Sequence, residues 1–260
     1  MPNDDIRARD KDDSSADVMK SVSSQSKAAP ETAAKRGRPA QRRRAGPGRP
    51  EGVSNVRDEI LDAAEFEFAN LGYAGTSLRN VAEAAQVTQA LINYYFGSKY
   101  GLFEEVFLRR GRQIAEDRMQ RLEELRRAGK PPAVADIVRA FLMPALSMRS
   151  TAAGRTFMRL QARLHTEPPE ISYKLRNEAY ETSTRLFTET LRDALPHLSE
   201  RDVYWRMTLM IGAYLYAFSD THRLEEMAPG IVNLDDSDEI LNAITSFVTA
   251  GMLAPSPGAD

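Results

Sequence analysis

Apolar side chains recur every three to four residues from position 55 onward, and no two-residue alternation runs long enough to predict a strand. The pattern predicts a first helix over 56–71, with Leu61, Ala64, Phe68 and Leu71 on one buried face. Asn55 is placed to cap it, Asp58 and Glu59 suit the positive end of its dipole, and Gly72 supplies a left-handed stop. A short second helix starts from a Thr76 cap, with Leu78, Val81, Ala82 and Ala85 inward. After a turn at Gln86 and Val87, Thr88 caps a third short helix over 89–95, with Ile92 and Phe96 inward. Ser98 then caps a longer helix through Leu102, Phe103, Val106 and Phe107 to about residue 125. Past Gly129-Lys130-Pro131-Pro132, helices are expected over 133–148, 152–165, 169–195, 200–223 and 238–251, with Pro144 kinking or shortening the first of these. The fold class is all-α, about nine helices.

Residues 1–52 break the pattern. They are rich in Ser, Ala, Pro and charge, and carry too few large apolar groups to offset chain entropy, so a disordered basic arm is expected. Residues 53–107 follow as one domain, 108–254 as a second helical domain, and 255–260 as a tail. The net charge of −2 is unevenly spread: residues 35–50 hold seven basic side chains and no acid. Such a block is either an arm for a polyanion or a solubilising tail. The absence of cysteine removes disulfide and thiolate chemistry. No apolar run approaches the roughly 20 residues that span a bilayer, and the start of the chain carries charge where a signal peptide has an apolar region. A cytoplasmic protein without a membrane partner is expected.

Two short helices across a three-residue turn, braced by longer ones, form a helix-turn-helix, whose second helix enters the major groove. The outward set on that helix is Thr88, Gln89, Asn93 and Tyr94. The stretch T-S-L-R-N-V-A-E-A-A-Q-V-T-Q-A-L-I-N-Y-Y-F-G-S-K, from Thr76 to Lys99, resembles the DNA-binding signature of the tetracycline-repressor (TetR) family. The preceding A-x-x-x-F-A-x-x-G-Y, from Ala64 to Tyr73, fits that family's first helix. The resemblance implies a DNA-binding domain followed by a helical effector-binding and dimerisation domain. It also implies phosphate contacts at Thr76 and Lys99, base and phosphate contacts at Thr88 and Gln89, and groove contacts by Tyr94 and Tyr95. Gln89 can pair with adenine and the Thr88 methyl can touch thymine. The chain departs from the family at Gln86, where Gly is usual and a left-handed residue carries a small strain. It departs again at Asn93, where Tyr is common. Within the arm, K-R-G-R-P resembles an A·T-hook core, which assigns Arg36 and Arg38, with Arg49 of the later G-R-P, to a minor groove.

Residues 200–223 are apolar around nearly the whole helix, including Met207, Leu209, Met210, Ile211, Tyr214, Leu215 and Phe218, so they must be buried in a core or at an interface. The resemblance implies that the last two long helices pair across a homodimer, which a two-fold operator also requires. It further implies a ligand pocket, with Phe141, Phe157, Met158, Leu164, Phe187, Met210 and Tyr214 as candidate lining; simple core is the competing reading. Arg155, Arg159 and Arg163 form a row that is either a solvated face or an acid-binding one, with Arg155 or Arg159 at the pocket mouth. The expected activity is sequence-specific repression, released from a palindrome by a small apolar effector such as a fatty acid or acyl thioester. The alternatives are an architectural A·T-rich DNA binder and, further off, an enzyme. His165, His197 and His222 are scattered at helix ends without a ligand pair or nucleophile motif, so no catalysis, cofactor or metal is expected.

Overall fold

The structure, a computed structural model, describes residues 51–219 and 222–256. Among them are ten helices and no strand. The first, α1 (Glu51–Gly75), starts five residues before the predicted position, so Asn55 sits exposed inside the helix and caps nothing. Ile60, Leu61, Ala64 and Phe68 are buried as the periodicity requires. Leu71 is not: it is 46% exposed. The reason is local, because Gly72 adopts φ 73° and ψ 176° and turns the chain out of helical register at that point.

Then come α2 (Leu78–Ala84), α3 (Gln89–Phe96) and α4 (Lys99–Arg127). The cap of α2 is Ser77, whose Oγ accepts from the Asn80 amide at 3.1 Å; the predicted cap Thr76 lies one residue too early. Thr88 and Ser98 cap α3 and α4 as expected, accepting from the Leu91 and Gly101 amides. With 29 residues, α4 reaches about 43 Å. Its inner face begins Leu102, Phe103, Val106, Phe107 and continues Gly111, Ile114, Arg118, Leu122, with one arginine set into an apolar stripe.

The remaining elements are α5 (Val134–Met148), α6 (Ala152–Leu164), α7 (Pro169–Ala194), α8 (Glu200–Phe218), α9 (Arg223–Met227) and α10 (Ser237–Leu253). α5 runs through Pro144 to Met148, so the proline does not shorten it. α8 stops at Phe218, five residues short of the predicted end, and α9 is an additional short helix beginning after His222 at φ 54°. α4 lies against α1 at its start and against α5 and α7 farther on; α5 sits between α4 and α10, and α8 touches α6, α7 and α10. One contiguous core runs from Ile60 to Met252. Its centre is aromatic: Phe107 packs on Phe157 with ring centroids 5.6 Å apart, and Phe141 on Phe187 at 5.2 Å.

Candidate functional site

The turn between α2 and α3 is tight. The Val87 amide donates to the Ala82 carbonyl at 2.9 Å, and Gln86 takes φ 54°, the left-handed conformation foreseen where a glycine would be unstrained. At the far end of α3, Gly97 at φ 71° reverses the chain and its amide donates to the Asn93 carbonyl. α4 then starts so close that a Cβ at Gly101 would lie 2.2 Å from the Phe96 carbonyl oxygen. Ile92 and Phe96 anchor α3 inward. Thr88, Gln89, Ala90, Asn93 and Tyr94 face solvent, Tyr94 with 81% of its surface exposed. Tyr95 is half-buried, its ring 5.4 Å from that of Tyr94. Neither end of α3 carries an ionisable side chain other than tyrosine, so its outer face offers hydrogen bonds and a phenol ring rather than charge.

Two residues expected beside this face stand differently. Thr76 is buried and its hydroxyl donates to the Gly72 carbonyl at 2.9 Å, so its side chain is turned inward and the amides at the start of α2 remain for the expected phosphate contact. Lys99 is half-buried, its ammonium 4.5 Å from the centre of the Tyr73 ring and donating to the Ala74 carbonyl. Burial lowers its pKa from the ordinary value, with the Glu167 carboxylate pulling the other way. Arg79, which periodicity did not single out, is exposed on α2 and paired with Glu83 at 2.9 Å. Arg36, Arg38 and Arg49, assigned to a minor groove, lie outside the described residues.

Buried ion pairs hold the module together. Glu65 of α1 is 2% exposed and takes both oxygens to Arg110 Nε, at 2.9 and 2.7 Å, and one to Arg109 at 3.1 Å. Arg109 also reaches Asp62 at 2.7 Å. The signal for this clasp was a glutamate within the Leu61–Phe68 buried face. A second clasp joins α1 to α6: Arg163 donates to the Ala69 and Asn70 carbonyls, and Glu167 accepts from the Tyr73 amide at 2.9 Å. A Cβ at Gly72 would lie 3.0 Å from the Glu167 carboxylate, so this grip needs the glycine for space as well as for φ. Arg155 donates to the Arg149 carbonyl. Two members of the arginine row, Arg155 and Arg163, thus serve backbone carbonyls.

A cleft of about 660 Å3 opens between α7 and α8, with Arg118, Phe141 and Tyr214 at its inner side. Phe141 and Tyr214 line it as expected. Phe157, Met158, Leu164, Phe187 and Met210 do not line this cleft; they are buried in the core. Arg159 donates to Thr156 on its own helix and is not at the mouth, and neither is Arg155. The sequence reading missed Arg118 and Tyr180, two of the polar residues that line the cleft. His165 also lines it, its pKa lowered to about 4 by desolvation and by the adjacent Arg176 guanidinium. Among the described residues no cluster of ligands for a metal ion occurs and no helix is long and apolar enough to cross a membrane.

α8 is not buried all round. Trp205, Leu209 and Tyr216 are exposed along one side, together with Gly212, and Phe247 and Leu253 are exposed on the neighbouring α10 with Gly251. The helix is thus not enclosed in the chain's own core, the first of the two burials expected of it.

Residues 60–106 match the family of bacterial regulatory proteins called tetR, and residues 139–251 match the tetracyclin repressor-like C-terminal domain. The HTH-type transcriptional regulator BetI of Paraburkholderia xenovorans is 32% identical over 74 residues, 28% of this chain and 36% of that one. The HTH-type transcriptional regulator AcrR of Shigella flexneri is 30% identical over 106 residues, 41% of this chain and 47% of that one. The chain thus spans less than half the length of these curated relatives. Among solved structures, the TetR family regulator PfmR of Thermus thermophilus shares the fold with a TM-score of 0.54 at 17% identity, over 74% of this chain and 97% of that one. The helix-turn-helix of α2 and α3, the two matched regions and the shared all-helical fold lead to one conclusion: the chain belongs to the TetR family of helix-turn-helix transcriptional regulators.

Proposed function

We propose that the protein is a dimeric repressor that reads a palindromic operator with α3 and releases it when a small molecule occupies the cleft between α7 and α8. The observation that carries the DNA reading is the outer face of α3, where Thr88, Gln89, Asn93 and Tyr94 stand exposed on a helix anchored by Ile92 and Phe96. Gln89 and Asn93 have the amides that recognise adenine in the major groove. Tyr94, Tyr95 and Lys99 border that face and suit the phosphate backbone. The second copy that a palindrome requires fits the exposed Leu209, Tyr216 and Phe247, where Gly212 and Gly251 leave space for two helices to approach closely. Release is supported by continuity. His165 lines the cleft at the end of α6, and Arg163 and Glu167, two residues to either side, hold α1 of the DNA-binding module. A ligand that favours a different setting of α6 changes the spacing of the two recognition helices.

The test is to sequence DNA fragments retained by the purified protein and to titrate the recovered operator with variants. Gln89→Ala and Asn93→Ala are expected to relax preference at single base positions by about 1–3 kcal/mol. Tyr94→Ala and Lys99→Ala are expected to weaken all sequences alike. Operator affinity unchanged in all four removes α3 as the reading head.

A further inference from the structure

Arg118 is among the largest fully buried side chains of the protein, and among the described residues it makes no ion pair. Its Nε donates to the Phe141 carbonyl at 2.9 Å, and its guanidinium carbon lies 3.6 Å from the centre of the Phe141 ring and 5.4 Å from that of Tyr214. Those contacts satisfy one edge and one face. Nη2 is buried without a hydrogen-bond partner, and among the described residues no carboxylate pairs with the guanidinium. Tyr180, another residue of the cleft wall, also has a buried hydroxyl without a partner. Burial pushes this phenol well above its ordinary pKa, so it remains a neutral donor. A buried cation left unpaired is costly, and chains keep one where something else supplies the anion.

We propose that the cleft is the site of a small organic monocarboxylate, held by Arg118 Nη2 and the Tyr180 hydroxyl with its apolar body along Val203, Met207 and Ile211. Arg118 and Tyr180 both line the cleft, each with one unfilled donor, and a carboxylate is the monoanion that has an oxygen for each. The charge of the walls selects a monoanion: four arginines, Arg118 among them, face three glutamates, and Arg185 is already paired with Glu189 at 2.9 Å. A dianion such as phosphate meets only that single excess charge. The proposal rests on reading the cleft as the effector site and adds the chemical class of the effector.

The experiment uses the full chain, with thermal shift and calorimetry against straight-chain alkanoates from butanoate to dodecanoate, benzoate and phenylacetate. Each acid is paired with its methyl ester, and inorganic phosphate is run alongside. At least one acid is expected to raise Tm and to bind at least about tenfold more tightly than its ester. In Arg118→Met the acid and the ester are expected to bind alike, and the ligand-free variant to melt no lower than the parent, because methionine fills similar space without an unpaired charge. Tyr180→Phe removes one hydroxyl and is expected to lose part of the preference, and it carries the test should Arg118→Met fail to fold. The proposal is overturned if no acid in the panel raises Tm, if the ester binds as well as the acid, if only phosphate binds, or if the preference survives in the variants. An acid that binds through Arg118 yet leaves operator affinity unchanged upholds the anion site and refutes the regulatory role proposed for the cleft.

Discussion

Glu65→Ala tests what holds the DNA-binding module to the long helix that follows it. The substitution removes three charge-assisted hydrogen bonds at 2.7 to 3.1 Å from a carboxylate that is 2% exposed. Breaking a buried pair from one side costs about 3–5 kcal/mol, because the surviving charge stays behind unpaired. Here the survivors are partly relieved. The Arg109 and Arg110 side chains are 24% and 19% exposed, and Arg109 keeps Asp62 at 2.7 Å. The lower end applies, about 3 kcal/mol. For a folded unit of this size each kcal/mol moves Tm by about 2–4 °C, so a fall of about 6–12 °C is expected. Glu65→Gln keeps the shape and some of the hydrogen bonds and should lose about half as much. Glu65→Met combined with Arg110→Met should recover most of the loss, since it leaves the tightest-held arginine out altogether. The assay is thermal or urea unfolding at one fixed protomer concentration, because a dimer's apparent stability depends on it. A Glu65→Ala protein melting within about 2 °C of the parent, or a double variant no better than the single ones, refutes the reasoning.

Leu209→Glu or Phe247→Glu places a charge on the exposed faces of α8 and α10, opposite its own copy in the proposed dimer. Monomers that keep full helicity but lose operator affinity are expected, and a dimeric mass by light scattering in both variants ends the assignment of this face. His165, with its pKa lowered to about 4, stays neutral in the folded protein where the unfolded chain, titrating near 6.5, takes up a proton. Its contribution is therefore intact above about pH 6.5 and is lost as pH falls toward 4. His165→Gln should remove that component, so the Tm difference between parent and variant must change across this window; a constant difference contradicts the lowered pKa.

The parts of this protein that the sequence determined by itself are those set by neighbours along the chain. The 3.6-residue period placed the helices, Thr88 and Ser98 capped α3 and α4 by accepting from amides three residues on, and the left-handed Gln86 was foreseen because the resembled family usually has glycine there. The exposed face of α3 was legible for the same reason, because once Ile92 and Phe96 point inward the helix geometry sends Gln89, Asn93 and Tyr94 outward. Periodicity failed at one turn, and local rules failed altogether where a distant partner decides. Leu71 looked like core until Gly72 turned the chain away, and Thr76 looked like an exposed cap until its hydroxyl bonded back to Gly72. Aromatic and methionine residues alone did not separate a pocket from a core, since Phe157 and Phe187 are residues a ligand box would also use, yet they pack on Phe107 and Phe141. What marks the cleft is a charge in the wrong place. Arg118 sits at i+4 from Ile114 and i−4 from Leu122, a stripe position at which only the tertiary structure decides whether a carboxylate waits across the interface, and among the described residues none pairs with it.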